Sequence, residues 1–155
     1  MRQSNCLSFM EKFQKFLRAD RSHVLVYDFE QADVTVGGER KEKGKGCDYA
    51  VIIRNGSNCN LVVLIECKGG QLSISDFEDA RRQLEYSVDF VKKAFDEKAS
   101  DEKAFDNVPI LAVLCYDRFT AQVGNYLRIA LNKPLRHGVM LILKKADDAE
   151  CSVCR

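Results

Sequence analysis

The sequence DYAVIIRNGSNCNLVVLIECK, residues 48–68, decides the fold that we expect. Residues 48–53 and 61–67 are rich in aliphatic and β-branched side chains, which is typical of buried strands. Asn55 and Gly56, between the two runs, readily adopt the positive φ values that a tight hairpin turn needs. The segment therefore predicts a β-hairpin whose second strand ends in the tripeptide ECK.

The expected register of this hairpin brings two carboxylates together. With the turn centred near Ser57, Asp48 lies directly opposite Glu66, and the Cβ atoms of such a pair are about 4.5–5.5 Å apart. Because side chains alternate along a strand, Lys68 shares the face of Glu66, whereas Cys67 points into the opposite layer. Two opposed acids repel each other, and a hard divalent cation turns that repulsion into attraction. The pattern therefore favours a metal site.

Hydrophobic periodicity along the rest of the chain predicts one α/β domain over residues 1–155. Amphipathic helices are expected over residues 7–19, 75–95 and 119–131. Further strands are expected over residues 23–29, 108–116 and 139–143, with a polar link over residues 96–107. This order predicts a mixed β-sheet flanked by helices on both faces.

Composition limits the classes of partner and the compartment. The chain has 155 residues, with 24 Lys and Arg against 23 Asp and Glu, so attraction to nucleic acid must come from local clusters of charge. No apolar run approaches the roughly 18 residues that a membrane span needs, and the first residues lack the apolar stretch of a signal peptide. We therefore expect a cytoplasmic protein without a membrane partner.

The seven cysteines are many for this length, but the number is odd and the spacing is irregular. Both features argue against a disulfide scaffold. Cys151 and Cys154 form a C-x-x-C pair, but adjacent sequence holds no second pair and no histidine to complete four zinc ligands. We therefore expect these two residues to be free thiols in a frayed tail.

The motif resembles that of the PD-(D/E)XK nuclease superfamily, which has the restriction-endonuclease-like fold. The similarity covers about residues 47–95, and Cys47 stands where the family often has proline. The resemblance implies Mg²⁺-dependent hydrolysis of phosphodiester bonds, with Mn²⁺ as an alternative metal. It implies that Asp48 and Glu66 bind the metal, that Cys67 contributes its backbone carbonyl oxygen, and that Lys68 assists the attacking water.

Some residues outside the motif extend the resemblance. Gln83 is similar to the glutamine of RecB-like members, which implies that it contacts the metal ligands and not the metal itself. Tyr86 is one residue short of the spacing of the RecB-like tyrosine, so we interpret it as a surface residue. Many members carry a further acid near the site, for which Glu11, Glu30 and Glu39 all remain candidates.

Substrate binding is expected to depend on a local basic segment. Arg40, Lys41, Lys43 and Lys45 precede Asp48 in what reads as a mobile loop, where they could contact phosphates. Arg81 on the long helix is expected to reach toward the substrate or to pair with an acid. We expect DNA rather than RNA, and a homodimer or larger assembly because a domain of this size encloses duplex DNA poorly.

Two alternatives to an enzyme stay open. A catalytically inactive module with the same fold would bind nucleic acid or protein, although retention of all three charged motif residues argues against it. Alternatively, the acids and the lysine would form a structural ion-pair network in a protein-interaction domain. The sequence does not distinguish endonuclease from exonuclease activity.

Overall fold

A six-stranded mixed sheet organises the chain in the computed structural model, which describes residues 5–56, 58–97 and 108–155. The strands are β1 (Leu17–Asp20), β2 (Val24–Asp28), β3 (Val34–Val36), β4 (Glu39–Lys41), β5 (Tyr49–Asn55), β6 (Asn58–Gln71), β7 (Ile110–Arg118) and β8 (Leu141–Lys145). The α-helices are α1 (Asn5–Lys12), α2 (Ile74–Glu97) and α3 (Ala121–Ala130). The sheet order is β1-β2-β5-β6-β7-β8, and β3 and β4 form a separate hairpin.

The β5–β6 hairpin forms in the predicted register. Tyr49 pairs with Ile65, and the pairing continues to Ile53 and Leu61 before it shifts by one residue near the turn. Strand β6 pairs with β7 in parallel, and β7 pairs with β8 in parallel, whereas β1, β2, β5 and β6 are antiparallel. The predicted turn centre, Ser57, lies outside the described residues.

The three α-helices pack on one face of the sheet. Buried residues of α1, α2 and α3 share one core with strand residues such as Leu64 and Leu114. Their strand neighbours Ile65 and Val113 point to the other face, where they pack with Cys151 of the 3₁₀ helix Ala149–Cys154. The expected mixed α/β sheet is confirmed, but this short 3₁₀ helix is what covers the second face. Among the described helices, none is both long and apolar enough to cross a bilayer.

The predicted helix over residues 7–19 is wrong beyond Lys12. The chain makes a 3₁₀ turn at Gln14–Phe16 and then forms the edge strand β1, which pairs with β2. Phe13 still packs in the core, stacked on Phe9 and Phe29. The aromatic residues do have helical spacing. After Phe16, however, hydrogen bonding to the edge of β2 decides the conformation, and the chain forms a strand. The other predicted helices and strands are confirmed within a few residues, and the expected link lies mainly outside the described residues.

The predicted mobile basic loop is wrong at Lys41. Residues 34–36 and 39–41 form a hairpin, and Lys41 is completely buried. Its Nζ donates hydrogen bonds to the carbonyl oxygens of Glu30 (3.2 Å), Ala32 (2.9 Å) and Glu42 (3.0 Å) and lies 5.0 Å from the centre of the Phe29 ring. Burial lowers the pKa of Lys41 to about 8. Lys41 therefore holds this hairpin to the core and does not contact nucleic acid.

The expectation of free tail thiols is also wrong. Disulfides join Cys67 to Cys154 and Cys115 to Cys151, across 87 and 36 residues of sequence. The chain folds back over the second sheet face after β8, which brings the C-x-x-C pair to two cysteines on neighbouring strands. The sheet topology brings these cysteines together. Their irregular spacing in the sequence therefore does not predict the pairs.

We predict that Lys41→Met destabilises the protein by about 2–4 kcal/mol, because three carbonyl oxygens lose a charged donor in a buried position. Lys43→Met, at an exposed position two residues away, is the matched control and is expected to change stability by at most about 0.5 kcal/mol. Urea unfolding measures both effects. Equal midpoints for the two variants would contradict the role of Lys41.

Candidate active site

Two hydrogen bonds from backbone N–H groups hold the side chains of Asp48 and Glu66 at the end of the hairpin. The backbone N–H of Asp48 donates to Oε1 of Glu66 (3.2 Å), and the N–H of Cys67 donates to Oδ2 of Asp48 (2.8 Å). Asp48 immediately precedes β5, and Glu66 lies in β6 directly after the paired residue Ile65. The hairpin register therefore brings the two expected carboxylates together.

Burial makes this pair of acids electrostatically unusual. Glu66 is only 6% exposed, and burial, followed by the charge of Asp48, raises its pKa to about 8. Burial also raises the pKa of Asp48, against the opposing effects of the Cys67 N–H bond and the Lys68 charge. A cation would relieve the repulsion between the two carboxylates, so the site favours either a shared proton or a bound metal ion.

Lys68 connects this carboxylate pair to α2. Its Nζ lies 3.9 Å from Oε2 of Glu66 and donates a hydrogen bond to Oδ2 of Asp79 at 3.0 Å. Burial opposes the charged form of Lys68, but the bond to Asp79 and the charges of Asp79 and Glu66 outweigh it and raise its pKa. Arg82 also contacts Asp79, at 3.4 Å. Lys68 therefore remains an ammonium group beside the carboxylates.

Asp79 is a site residue that the sequence analysis missed. It precedes Gln83 by one helical turn, so the two residues lie on the same side of α2. The sequence signal that could have identified Asp79 was its spacing from Gln83, combined with the lysine at the end of β6. The Lys68 ammonium lowers the pKa of Asp79, which keeps the partner of Lys68 charged.

Gln83 positions the backbone that leads into Asp48. Its Oε1 accepts a hydrogen bond from the N–H of Gly46 (3.1 Å), and Oγ of Ser87 accepts one from the N–H of Cys47 (2.8 Å). Gly46 has a φ of +91°, and a Cβ there would lie 2.6 Å from the Phe29 ring. The helix therefore fixes the two residues before Asp48, and Gln83 acts through them.

Glu30 is the best placed of the three candidates for a further acid. Its charge contributes to the raised pKa of Glu66, and its N–H lies 3.4 Å from the carbonyl oxygen of Asp48. Glu39 lies instead near Tyr86, whose pKa is raised by burial and then by the charge of Glu39. Glu11 is exposed on α1.

The expected nucleic-acid contacts separate into two groups. Arg40, Lys43 and Lys45 are exposed, and Arg40 lies 3.5 Å from Asp33. The guanidinium of Arg81, in contrast, donates to the carbonyl oxygens of Lys133 (3.3 Å) and Pro134 (3.1 Å). Arg81 therefore ties α2 to the segment after α3, and its contact with substrate stays a prediction.

The donor set at the carboxylate pair fits a hard cation. Two carboxylates and the nearby backbone carbonyl of Cys67 are oxygen ligands of the kind that Mg²⁺ takes from proteins, with water or phosphate completing the shell. Within residues 5–56, 58–97 and 108–155, no group of three or more His, Cys, Asp or Glu side chains is placed to hold a metal ion. Any metal here would therefore depend on two carboxylates.

Comparison with known proteins adds no relative, because no family model, curated protein or solved structure matches this chain. The superfamily resemblance therefore depends on residues 47–95 alone. The evidence for function is therefore the geometry of Asp48, Glu66 and Lys68.

We predict that Glu66 makes the stability of the protein depend on pH. Because the folded state raises its pKa from 4.5 to about 8, the folded protein binds this proton more tightly than the unfolded chain does. Stability therefore falls as pH rises from about 4.5 to about 8. Glu66→Gln is expected to lack this part of the decline and to melt at a higher temperature than the native protein at pH 9.

Thermal melting between pH 4 and pH 9 measures this effect, with Asp147→Asn, at an exposed position, as the control. Adding Mg²⁺ at pH 9 is expected to raise the melting temperature of the native protein but not that of Glu66→Gln. Parallel pH profiles for the native protein and Glu66→Gln would refute the assignment.

Proposed function

We propose that this protein is a metal-dependent nuclease of the PD-(D/E)XK type that hydrolyses phosphodiester bonds, with DNA as its substrate. The observation that carries the proposal is the pairing of Asp48 and Glu66, whose side chains accept hydrogen bonds from the N–H groups of Cys67 and Asp48, with Nζ of Lys68 3.9 Å from Glu66. The restriction-endonuclease-like fold is part of this proposal and is supported by the mixed sheet and the helix that follows the motif.

Each motif residue has a distinct task in this mechanism. Asp48, Glu66 and the carbonyl oxygen of Cys67 would hold Mg²⁺ or Mn²⁺, which supplies Lewis-acid charge and lowers the pKa of bound water. The raised pKa of Lys68 makes it an ammonium group that orients water and offsets negative charge developing on the phosphate. Lys68 is therefore an electrostatic catalyst in this proposal and does not serve as a general base.

The exposed basic residues support binding to a nucleic acid backbone. Arg40, Lys43 and Lys45 lie just before Asp48 in the chain, and the N–H of Gly44 bonds to the carbonyl oxygen of Glu30 at 2.8 Å. This bond ties the basic segment to Glu30, whose own N–H lies 3.4 Å from the carbonyl oxygen of Asp48. We further propose a cytoplasmic location and a homodimer or larger assembly, which would extend the surface available to duplex DNA.

A second candidate is a catalytically inactive module that binds nucleic acid or protein. One specific observation favours it: Lys68 already pairs with Asp79, and the raised pKa of the nearly buried Glu66 favours its neutral form, so the network can be satisfied without a metal ion. An enzyme needs at least one of these contacts to give way to metal and phosphate. A cleavage assay distinguishes the two candidates.

We predict Mg²⁺- or Mn²⁺-dependent cleavage of plasmid, linear or single-stranded DNA, abolished by EDTA. Lys68→Ala is expected to lower the rate about 100-fold or more, because it removes charge stabilisation from the transition state. Lys93→Ala, at an exposed position on α2, is the matched control and should retain the native rate. RNA is tested in parallel.

Each outcome of this assay has a clear meaning. Full cleavage by Lys68→Ala would assign the activity to a contaminant or another site. Binding of DNA without cleavage would favour the inactive module, and neither binding nor cleavage would favour the structural ion-pair network.

We predict that Lys43 and Lys45 contribute phosphate contacts. Replacing both with alanine is expected to weaken DNA binding and to reduce the slope of log K against log salt by about 2, because two fewer counterions are released. The double variant Lys92→Ala, Lys93→Ala removes the same charge from α2 and is the control. Fluorescence anisotropy over a range of salt concentrations measures the slope, and equal slopes for both double variants would exclude the contact.

A further inference from the structure

Four cysteines converge on the sheet face opposite the carboxylate pair. Cys67 and Cys115 are direct partners in the parallel pairing of β6 and β7, and neighbouring strands lie about 4.8 Å apart. Cys151 and Cys154 lie three residues apart on the 3₁₀ helix Ala149–Cys154, where residues at that spacing project from the same side. The fold therefore supplies the second cysteine pair that adjacent sequence lacks.

Each cysteine of the strand pair lies close to one cysteine of the 3₁₀ helix. The Cα atoms of Cys67 and Cys154 are 5.9 Å apart, and those of Cys115 and Cys151 are 5.8 Å apart. All four residues pack in one small cluster together with Ile65 and Val113. Each cysteine of the C-x-x-C pair thus lies within bonding distance of one cysteine on the sheet, and the four residues belong to one packed cluster.

The surroundings of this cysteine cluster suit a buried metal ion with an entry path. Cys151 is fully buried and Cys115 is 3% exposed. An open pocket of about 220 Å³ reaches the cluster and is lined by three of the cysteines, Lys68, Asp117 and Arg155, among others. Ions and reductants can therefore reach the sulfur atoms, and Arg155 in the pocket lining can offset part of the charge of bound thiolates.

We propose that the reduced form of this cysteine cluster binds one Zn²⁺ ion through the four thiolates. In the oxidised form the sulfur atoms are paired as disulfides, and the described residues hold no ready metal group. Zn²⁺ favours four sulfur ligands in tetrahedral geometry, with one C-x-x-C pair common among such sites. The same four residues therefore have two closed states, two disulfides or one zinc site.

The change between the two states balances with a dithiol as reductant. Each disulfide accepts two electrons and two protons, its S–S bond breaks, and one dithiol becomes a disulfide. The four resulting thiols then lose four protons as they form four Zn–S bonds. In a compartment where thiols are kept reduced, zinc would replace the disulfides as the link between residues 149–154 and the sheet.

Metal titration of the full chain tests this inference. The protein is reduced with dithiothreitol, desalted under argon and titrated with Co²⁺, whose visible absorption reports tetrahedral thiolate coordination. We expect saturation at one Co²⁺ per chain and loss of the signal when one equivalent of Zn²⁺ is added. The double variant Cys151→Ser, Cys154→Ser is expected to lose the signal, whereas Cys47→Ala, which removes a buried free thiol outside the cluster, retains it.

A second measurement covers the case in which a variant fails to fold. Alkylation of the reduced native protein, mapped by mass spectrometry, should show Zn²⁺ protecting all four cysteines of the cluster together. Absence of tetrahedral Co²⁺ absorption in the native protein, or protection of other cysteines only, overturns the proposal. The Co²⁺ titration reports thiolate coordination directly and uses no nucleic acid, so its result is independent of the proposed nuclease activity.

Discussion

The register of the β5–β6 hairpin is the constraint on which both candidate sites depend. Pairing of Tyr49 with Ile65 continues along the hairpin, so Asp48 and Glu66 meet where the pairing ends. Alternation along β6 then directs Glu66 and Lys68 toward the helices and Cys67 toward the opposite face. Apolar residues of β6 are buried on both faces, so a change of register would expose apolar side chains on both. The packing that stabilises the register therefore also stabilises the geometry of the site.

The carboxylate pair stands between two electrostatic states. A nearly buried Glu66 with a raised pKa and a lysine already paired with Asp79 form a network that satisfies itself when a proton is retained. A hard cation offers the alternative, in which both carboxylates are charged and coordinated. This competition links metal affinity to pH and distinguishes the proposed enzyme from a purely structural network.

Local patterns predicted the mixed α/β sheet and the pairing of the two acids at the candidate site. The hairpin, the long helix α2 and the parallel strands follow from apolar spacing within short windows, and the pairing of Asp48 with Glu66 follows from the turn. The end of α1 and the burial of Lys41 depend on hydrogen bonds to neighbouring segments that only the folded chain brings together. The disulfides of Cys67 and Cys115 depend on segments far apart in sequence. A lysine among charged residues is expected to be solvated, and the sequence does not show that the folded chain surrounds it with three carbonyl oxygens. Likewise, Asp79 acquires its role only once α2 lies across the end of β6.

Cys67 contacts residues on both faces of the sheet. Its backbone N–H bonds to Asp48, while its sulfur atom is joined to Cys154 on the far side of the sheet. Inserting or deleting one residue in β6 ahead of Glu66 would exchange the two environments, placing sulfur among the acids and a carboxylate among the cysteines. Evolution can therefore lengthen the turn or the segments beyond the sheet, but between the turn and Lys68 it is confined to substitutions that keep the count of residues fixed.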